Sequence, residues 1–194
     1  MPNWKPIVGL SFEADGFETY CKSLAWVAWR PSFVVLHNTA TPDLAQRPHG
    51  FNRQHIDNLV HYYRDQQGWS AGPHLFIDDR QIWVFTPLTT TGRHSPAWNS
   101  LSIGIEMLGN YESDAFDGGR GAAVAANAIS AIASIDAALG LPAETLRLHK
   151  EDPETTHKTC PGRHVDKARV IAAVSARLLS HYASDHGPDM SHPD

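Results

Sequence analysis

Cysteine is scarce in this chain of 194 residues, which contains only Cys21 and Cys160. No C-x-x-C pair exists, and its absence argues against the structural zinc sites that are built on such pairs. A single disulfide between the two thiols is an open alternative, but such sparse usage is more typical of a reducing compartment. Cys21 lies within a predicted helix, and we interpret it as a core thiol without chemistry.

Excess positive charge and long apolar runs are also lacking. The chain has 16 Lys and Arg against 21 Asp and Glu, a net charge of -5, whereas nucleic-acid binding usually requires a basic face. We find no run long and apolar enough to span a bilayer, and no apolar signal core follows Met1. We therefore expect a protein that is made in the cytoplasm without a signal peptide, with no nucleic-acid partner and no membrane insertion.

Hydrophobic periodicity predicts an α/β domain. With 42% hydrophobic residues, the chain can bury one sizeable core. Helical and alternating or continuous apolar patterns place helices at 12–27, 52–67, 122–139 and 166–182, and strands at 33–37, 74–78, 82–85, 102–107 and 146–148. We predict a single domain over residues 1–182, with an N-terminal helical extension (about 1–30) and a frayed tail at 183–194.

A turn-rich segment from Leu148 to Gly162 concentrates side chains that can bind a metal. It contains His149, His157 and Cys160, directly after a short apolar run. Imidazole and thiolate are ligands that zinc prefers, so a His and a Cys in one loop indicate half of a metal site. A polar loop with two His and one Cys is more often ordinary surface, and a third ligand from elsewhere is needed to decide.

Two other predicted strands carry polar side chains at or near their carboxyl ends. The apolar run 33–36 leads directly into His37, and the run 102–107 contains Glu106. Ligands collect at the carboxyl ends of strands in open α/β sheets, although an isolated His there is more often a strand cap. A carboxylate within an apolar run is rarely buried unless it is paired or functional. The alternative is a glutamate on an edge strand that faces water.

Side chains from separate elements therefore predict a catalytic zinc site. His37, His149 and Cys160 would supply three protein ligands and leave a fourth position open, which distinguishes catalytic zinc from structural zinc. A structural site would need a fourth His or Cys close by, and His157 is the only nearby candidate. We therefore expect Zn2+ as a cofactor.

Five motifs resemble those of the zinc-dependent N-acetylmuramoyl-L-alanine amidases related to peptidoglycan recognition proteins, the type 2 amidase family. They are VVLHNTA at 34–40, GPHLFID at 72–78, HSPAWN at 94–99, SIGIE at 102–106 and HKTCPG at 157–162. Each motif is weak alone, and their order and spacing make the resemblance specific. It covers most of the chain and implies a single domain with a central mixed β-sheet flanked by helices, the peptidoglycan recognition protein-like amidase fold.

The resemblance also implies roles for individual residues. His37, His149 and Cys160 match the zinc ligands of the family, and Lys158 matches a lysine two places before the last ligand. Glu106 matches the glutamate that ends the SIGIE strand in the branch that includes bacterial cytosolic muropeptide amidases. We expect Glu106 and Lys158 to be catalytic residues.

The long polar loop at 86–100 is a candidate wall of the substrate groove, the alternative being a plain surface crossover. By resemblance, His94, Trp98 and Asn99 line that groove. Phage members of the family carry a tyrosine just before the His of the first hairpin strand, where this chain has Pro73. The role of that tyrosine cannot be carried over, and we expect the glutamate of the SIGIE strand to replace it.

The chemistry of amide hydrolysis supports this assignment. Zinc lowers the pKa of a bound water to roughly 7, which yields a nucleophile at neutral pH. A carboxylate can move the proton of that water to the leaving amine. A lysine can stabilise the charge on the carbonyl oxygen, and removing a comparable donor costs on the order of 100–1000-fold in rate. The resemblance implies that the scissile bond joins N-acetylmuramic acid to the first L-alanine of the peptidoglycan stem peptide.

Three other functions remain as alternatives. A non-catalytic peptidoglycan-binding module would typically have lost the Cys ligand, which this chain keeps at Cys160. A zinc peptidase is disfavoured because no H-E-x-x-H motif is present. A cytosolic muropeptide-recycling amidase fits as well as a phage endolysin that reaches the wall by holin-type lysis. We favour the endolysin, acting as a monomer on peptidoglycan.

Overall fold

A six-stranded mixed sheet is the centre of the fold, in a computed structural model that describes residues 4–185 and side chains up to residue 180. The strands are β1 (Leu10–Phe12), β2 (Phe33–Asn38), β3 (Leu75–Ile77), β4 (Ile82–Val84), β5 (Ser102–Met107) and β6 (Arg147–Leu148). Their order across the sheet is β1-β4-β3-β5-β2-β6. Strands β3, β5, β2 and β6 pair in parallel, and β4 pairs antiparallel with β3 and β1. The predicted α/β fold with a mixed sheet is confirmed.

Helices cover both faces of this sheet. They are α1 (Ala14–Ser23), α2 (Arg53–His61), α3 (Gly119–Leu139) and α4 (Lys167–Asp185), and a π-helical turn at Tyr62–Gln66 extends α2. The main core lies where α1, α3 and α4 pack on the side chains of one face of the sheet. On the other face α2 forms a smaller cluster, in which Ile56 and Tyr63 pack with Phe76 of β3. One face of the sheet therefore carries the main core, and the other face carries the polar side chains near the strand ends.

Three helix ends are formed by residues whose side chains or backbone suit a cap. The Asn52 side chain accepts a hydrogen bond of 2.9 Å from the backbone N–H of His55 and so caps α2. Gly140 ends α3 with φ of +68°, a left-handed conformation that glycine adopts without steric cost. The carboxylate of Asp166 accepts from two amides in the first turn of α4.

The N-terminal part differs from its prediction. Instead of one helix over 12–27, residues 10–12 form edge strand β1, which pairs with β4, and α1 ends at Ser23. A three-residue edge strand has too short a pattern to be recognised locally, because its partner in the sheet defines it. At the other end α4 reaches Asp185. The rest of the predicted tail, 186–194, lies outside the described residues.

Helix α3 corrects a further expectation. By length and composition alone it could cross a membrane, although the sequence pattern indicated no such segment. Most of the helix is buried inside the protein, with Val124, Ile132 and Ile135 in the main core. Its many alanines and scarce charges therefore reflect contact with the sheet, α1 and α4.

Candidate active site

Strand register brings polar side chains to one end of the sheet. In the parallel pair of β2 and β5, His37 lies directly opposite Glu106. In the pair of β2 and β6, Leu36 lies opposite Leu148, so His149 follows in line with His37. The rings of His37 and His149 are 4.2 Å apart between centroids. The two strand-end histidines that the sequence singles out are therefore neighbours.

The loop after β6 folds back on itself and returns Cys160 to the same place. The N–H of Lys150 donates to the carbonyl oxygen of Cys160 at 2.8 Å. Two residues later, Gly162 has φ of +113°, and a Cβ there would lie 2.3 Å from the backbone carbonyl carbon of Tyr111. Only glycine permits this close approach of the two backbones. The glycine of the HKTCPG motif thus allows the loop to pack against the backbone of Tyr111.

The donor set that results fits zinc. Within the described residues, the ligand atoms of His37, His149 and Cys160 all lie within 4.8 Å of one another. Burial lowers the pKa of His37 well below its usual range and that of His149 to about 4, so both rings are neutral and keep a free lone pair. Burial, with a contribution from Glu106, raises the pKa of Cys160 to about 12. The thiol must therefore lose its proton when a metal binds, and two imidazoles with one thiolate form a three-ligand zinc set.

His157 lies beside this group without belonging to it. Its ring centroid is 5.4 Å from that of His149, and the residue is exposed. It lines the cleft above the three donors. The geometry thus favours a site with three protein ligands over one with four.

Glu106 faces the cleft from the middle of the sheet. One carboxylate oxygen lies 3.8 Å from Nδ1 of His37, and the side chain is 16% exposed. Burial raises the pKa of Glu106 to about 8. The carboxyl group can therefore carry a proton near neutral pH, beside the cluster of donors. The alternative of a glutamate on an edge strand is wrong, because β5 is an inner strand.

Lys158 is exposed and is not among the side chains that line the cleft. Both its neighbours in the sequence, His157 and Thr159, do line it. The positive charge of Lys158 also contributes to the low pKa of His149. The lysine thus lies at the rim of the site.

The loop at 86–100 contributes differently from its prediction. Trp98 packs edge-on against Phe33, at the opposite end of β2 from His37. The Asn99 side chain accepts hydrogen bonds from the backbone N–H groups of His94 and Ser95, at 2.7 and 2.9 Å. Neither Trp98 nor Asn99 lines the cleft, so the structure does not bring them together with the other candidate site residues, and their contact with substrate stays a prediction. Both side chains shape the loop itself.

His94 does line the cleft, but it is buried rather than open to a ligand. Its Nδ1 lies 3.1 Å from Nε2 of His37, and its Nε2 lies 3.2 Å from the carbonyl oxygen of Ser102. Burial lowers the pKa of His94 to about 3, so the ring is neutral. The residue predicted to touch substrate is thus in contact with His37, one of the three candidate metal ligands.

An aromatic wall that the sequence pattern did not identify completes the cleft, whose volume is about 600 Å³. Tyr63 stacks on Trp69 at 5.3 Å, and the guanidinium of Arg93 lies 4.9 Å from the Trp69 ring. Tyr63 lies on the apolar face of the predicted helix at 52–67 and packs in the smaller core cluster, but helical periodicity does not show that such a face also lines a cleft. The signal that could have indicated the wall is Trp69, an aromatic residue in a glycine-rich turn.

Proteins of similar sequence are peptidoglycan recognition proteins. Peptidoglycan recognition protein 1 of Bos indicus is 33% identical over 82 residues, which cover 41% of this chain and 42% of that protein. The corresponding protein 1 of Holotrichia diomphalia is 30% identical over 80 residues, 40% of each chain. The chain thus matches less than half the length of these curated relatives.

Solved structures share the fold, and a family model covers most of the chain. The endolysin N-acetylmuramoyl-L-alanine amidase LysCS from Clostridium intestinale gives a TM-score of 0.58 at 23% identity, over 77% of this chain and 86% of that one. Drosophila PGRP-LB gives 0.56 at 19% identity, over 89% and 90%. The model of the N-acetylmuramoyl-L-alanine amidase family, Amidase_2, matches residues 28–163, and the chain belongs to this family.

Proposed function

We propose that this protein is a zinc-dependent amidase that hydrolyses the bond between N-acetylmuramic acid and the first L-alanine of the stem peptide. The observation that carries the proposal is the cluster of His37, His149 and Cys160, with ligand atoms within 4.8 Å of one another, beside the buried carboxyl of Glu106. Membership of the amidase family supports the class of bond. The retained cysteine favours an enzyme over a module that only binds.

The residues of the chain divide the work of amide hydrolysis. Zinc held by the two histidines and the cysteine would supply a Lewis acid that lowers the pKa of water to about 7. Glu106 takes a proton from the attacking water and returns it to the leaving amine. Its pKa of about 8 suits the return of the proton, and a nearby cation would lower this pKa for the first transfer.

Lys158 has the second catalytic role in this proposal. It lies between two residues that line the cleft, and its charge acts on His149. A lysine side chain at the rim is flexible enough to turn towards a bound amide. There its ammonium group would stabilise the negative charge that develops on the carbonyl oxygen.

The aromatic wall suits a glycopeptide. Trp69, stacked on Tyr63, offers flat apolar surface, and Arg93 beside it offers a permanent positive charge. A muropeptide combines sugar faces and peptide with free carboxylates, so both kinds of contact have a partner on it. We propose this wall as the binding surface for the part of the substrate next to the scissile bond.

For the biological setting we propose a phage endolysin that acts on the intact wall, with muropeptide recycling as the alternative. The experiment compares intact sacculi with soluble muropeptides and measures new N-terminal alanine and free muramyl ends. Turnover of both substrates supports the endolysin, and turnover of muropeptides alone supports recycling. Binding without new alanine amino groups indicates a non-catalytic module, and new amino groups on other residues indicate a peptidase.

A further inference from the structure

A hydrogen-bonded pair of histidines, His94 and His37, links the loop at 86–100 to the three candidate zinc ligands. The ring of His94 packs against β5 at Gly104, where a Cβ would be only 2.3 Å from the His94 Cγ. Nδ1 of His94 is 3.1 Å from Nε2 of His37. The glycine of the SIGIE motif therefore provides the space that allows the His94 ring to reach His37, a candidate zinc ligand.

The partners of His94 determine where the ring hydrogens are. Its Nε2 faces the carbonyl oxygen of Ser102 at 3.2 Å, and a carbonyl oxygen can only accept. The hydroxyl of Ser102 is also within 3.5 Å, but it donates its own hydrogen to the carbonyl oxygen of Trp98. A neutral His94 therefore carries its single ring hydrogen on Nε2, and its Nδ1 is a pure acceptor.

This assignment propagates to His37. Because Nδ1 of His94 only accepts, Nε2 of His37 must carry the hydrogen and donate it. A neutral ring has one such hydrogen, so Nδ1 of His37 keeps its lone pair. That nitrogen lies on the side of Glu106, with 3.8 Å between Nδ1 and the carboxylate oxygen.

We propose that His94 is a positioning residue that holds His37 in the one tautomer and ring orientation able to bind zinc through Nδ1, and that Gly104 is present to admit it. The inference rests on the proposed function, in which His37 is a zinc ligand. Hydrogen bonds from outside the ligand set commonly fix a metal-binding histidine in this way, and their loss lowers metal affinity about 10- to 100-fold. Here the acceptor is a second imidazole, which a backbone carbonyl holds in turn.

A neighbouring histidine shows that burial alone does not require this arrangement. His74 is also buried, and both of its ring nitrogens pair with backbone: Nδ1 accepts from the N–H of Gly104 and Nε2 donates to the carbonyl oxygen of Thr90, each at 3.0 Å. His94 differs because one of its nitrogens is directed at a metal donor.

The first test needs no activity and no metal. Nitrogen NMR of the metal-free, 15N-labelled protein at neutral pH distinguishes a protonated from an unprotonated ring nitrogen. We expect His37 and His94 both to carry hydrogen on Nε2. A His37 ring with its hydrogen on Nδ1, or an equal mixture of both tautomers, overturns the proposal.

The second test uses variants and measures Zn2+ affinity by competition with a chromophoric chelator. His94→Leu removes the acceptor and should weaken Zn2+ binding about 10- to 100-fold, while His94→Asn restores an acceptor near the position of Nδ1 and should recover part of the loss. His61→Leu is the control, because His61 is exposed and does not line the cleft. Unchanged Zn2+ affinity in a folded His94→Leu protein contradicts the proposal.

If His94→Leu does not fold, the NMR result on the unaltered protein and the Zn2+ affinity of His94→Asn still decide whether His94 positions His37.

Two outcomes keep this inference separate from the proposed function. If Zn2+ binds as described but no amide is hydrolysed, the proposed function fails and the role of His94 stands. If the protein hydrolyses the amide with the opposite His37 tautomer, the role of His94 fails alone.

Discussion

At the scale of single residues, surroundings decide what each cysteine can do. Cys21 has no exposed surface and packs in the main core on α1. Cys160 is half-buried at the cleft, with the nitrogen donors of two neutral histidines within 4.8 Å. Neither of these two described cysteines forms a disulfide. Only Cys160 is placed to bind a metal, although the pKa of both thiols is raised by burial.

We therefore predict opposite results for Cys160→Ser and Cys21→Ser. A hydroxyl is a far poorer zinc ligand than a thiolate, so Cys160→Ser should lose bound zinc and amidase turnover. Cys21→Ser is the matched control: it should keep both, and lose about 1–3 kcal/mol of stability from the buried hydroxyl. Elemental analysis, the amidase rate and denaturant unfolding measure these quantities. Zinc loss in Cys21→Ser with retention in Cys160→Ser would mean that the assigned ligand is wrong.

Glu106→Gln tests the proton carrier. The amide keeps the shape of the side chain but cannot take up a proton, so kcat should fall about 100- to 10,000-fold while KM and zinc content change little. The acidic limb of the pH–rate profile should also change, because the base must be deprotonated to act. Glu154→Gln, an exposed carboxylate on the same loop as the ligands, is the control. Loss of zinc in Glu106→Gln would instead identify the glutamate as a ligand.

Lys158→Ala tests the proposed oxyanion contact. Removing a comparable donor costs on the order of 100- to 1000-fold in rate, and we expect this loss in kcat, with zinc content and melting temperature unchanged. Lys158→Arg keeps the charge and should recover part of the rate. Because Lys158 is exposed at the rim, a purely superficial role predicts full activity in both variants, and that result would remove the lysine from the mechanism.

At the scale of elements, the two ends of α3 differ in how their charges are paired. Near its start, the guanidinium of Arg120 binds the carboxylate of Asp79 and the carbonyl oxygens of Leu44 and Arg47, and so ties the loop that follows β2 to the helix. Near its end, Asp136 is buried and neither carboxylate oxygen has a hydrogen-bond partner among the described residues. Burial, with Glu144 adding to it, raises the pKa of Asp136 to about 8.

Asp136 should make the fold less stable as the pH rises. The unfolded carboxyl ionises near its model value of 3.8, whereas the folded one stays protonated up to about pH 8. Between these values the native state binds more protons, so its stability falls with increasing pH. At about 1.4 kcal/mol per pKa unit, the loss is on the order of a few kcal/mol.

The measurement is the free energy of unfolding from pH 4 to 9 for the unaltered protein and for Asp136→Asn. The variant should gain relative stability as the pH rises through this window. Glu106 also has a raised pKa and gives a slope of the same sign, but it is present in both proteins and cancels in the difference. Asp117→Asn, at an exposed ion pair, is the control. A pH-independent difference for Asp136→Asn contradicts the assignment.

At the scale of the whole molecule, the proposed metal joins distant parts of the chain. His37 is on β2, His149 follows β6, and Cys160 lies in the loop before α4. A ligand that binds only the folded state stabilises it by mass action, about 2.7 kcal/mol at 100 times its Kd. We therefore expect zinc to raise the melting temperature, a chelator to reverse the rise, and Cys160→Ser to show neither effect. An equal rise in Cys160→Ser would place the bound zinc elsewhere.

The sequence alone determined those features of the protein that depend on residues close to one another along the chain. Apolar periodicity is local and predicted most elements, and capping residues such as Asn52 and Gly140 are local signals of the same kind. The change from an apolar run to His37, and the His and Cys in one loop, indicated the donors, because strand ends gather at one edge of a parallel sheet.

Only the tertiary structure decided what depends on pairing between distant segments. It placed His37 directly opposite Glu106 in the sheet, and Tyr63 and Trp69 in the wall of the cleft. It also turned Trp98 and Asn99 away from the cleft. Finally, it added β1 as an edge strand. A helix or loop pattern specifies which side chains share a face, but not which partner that face meets. That partner is set by the packing of the sheet and its helices, and the space over Gly104 shows how a single absent Cβ can decide it.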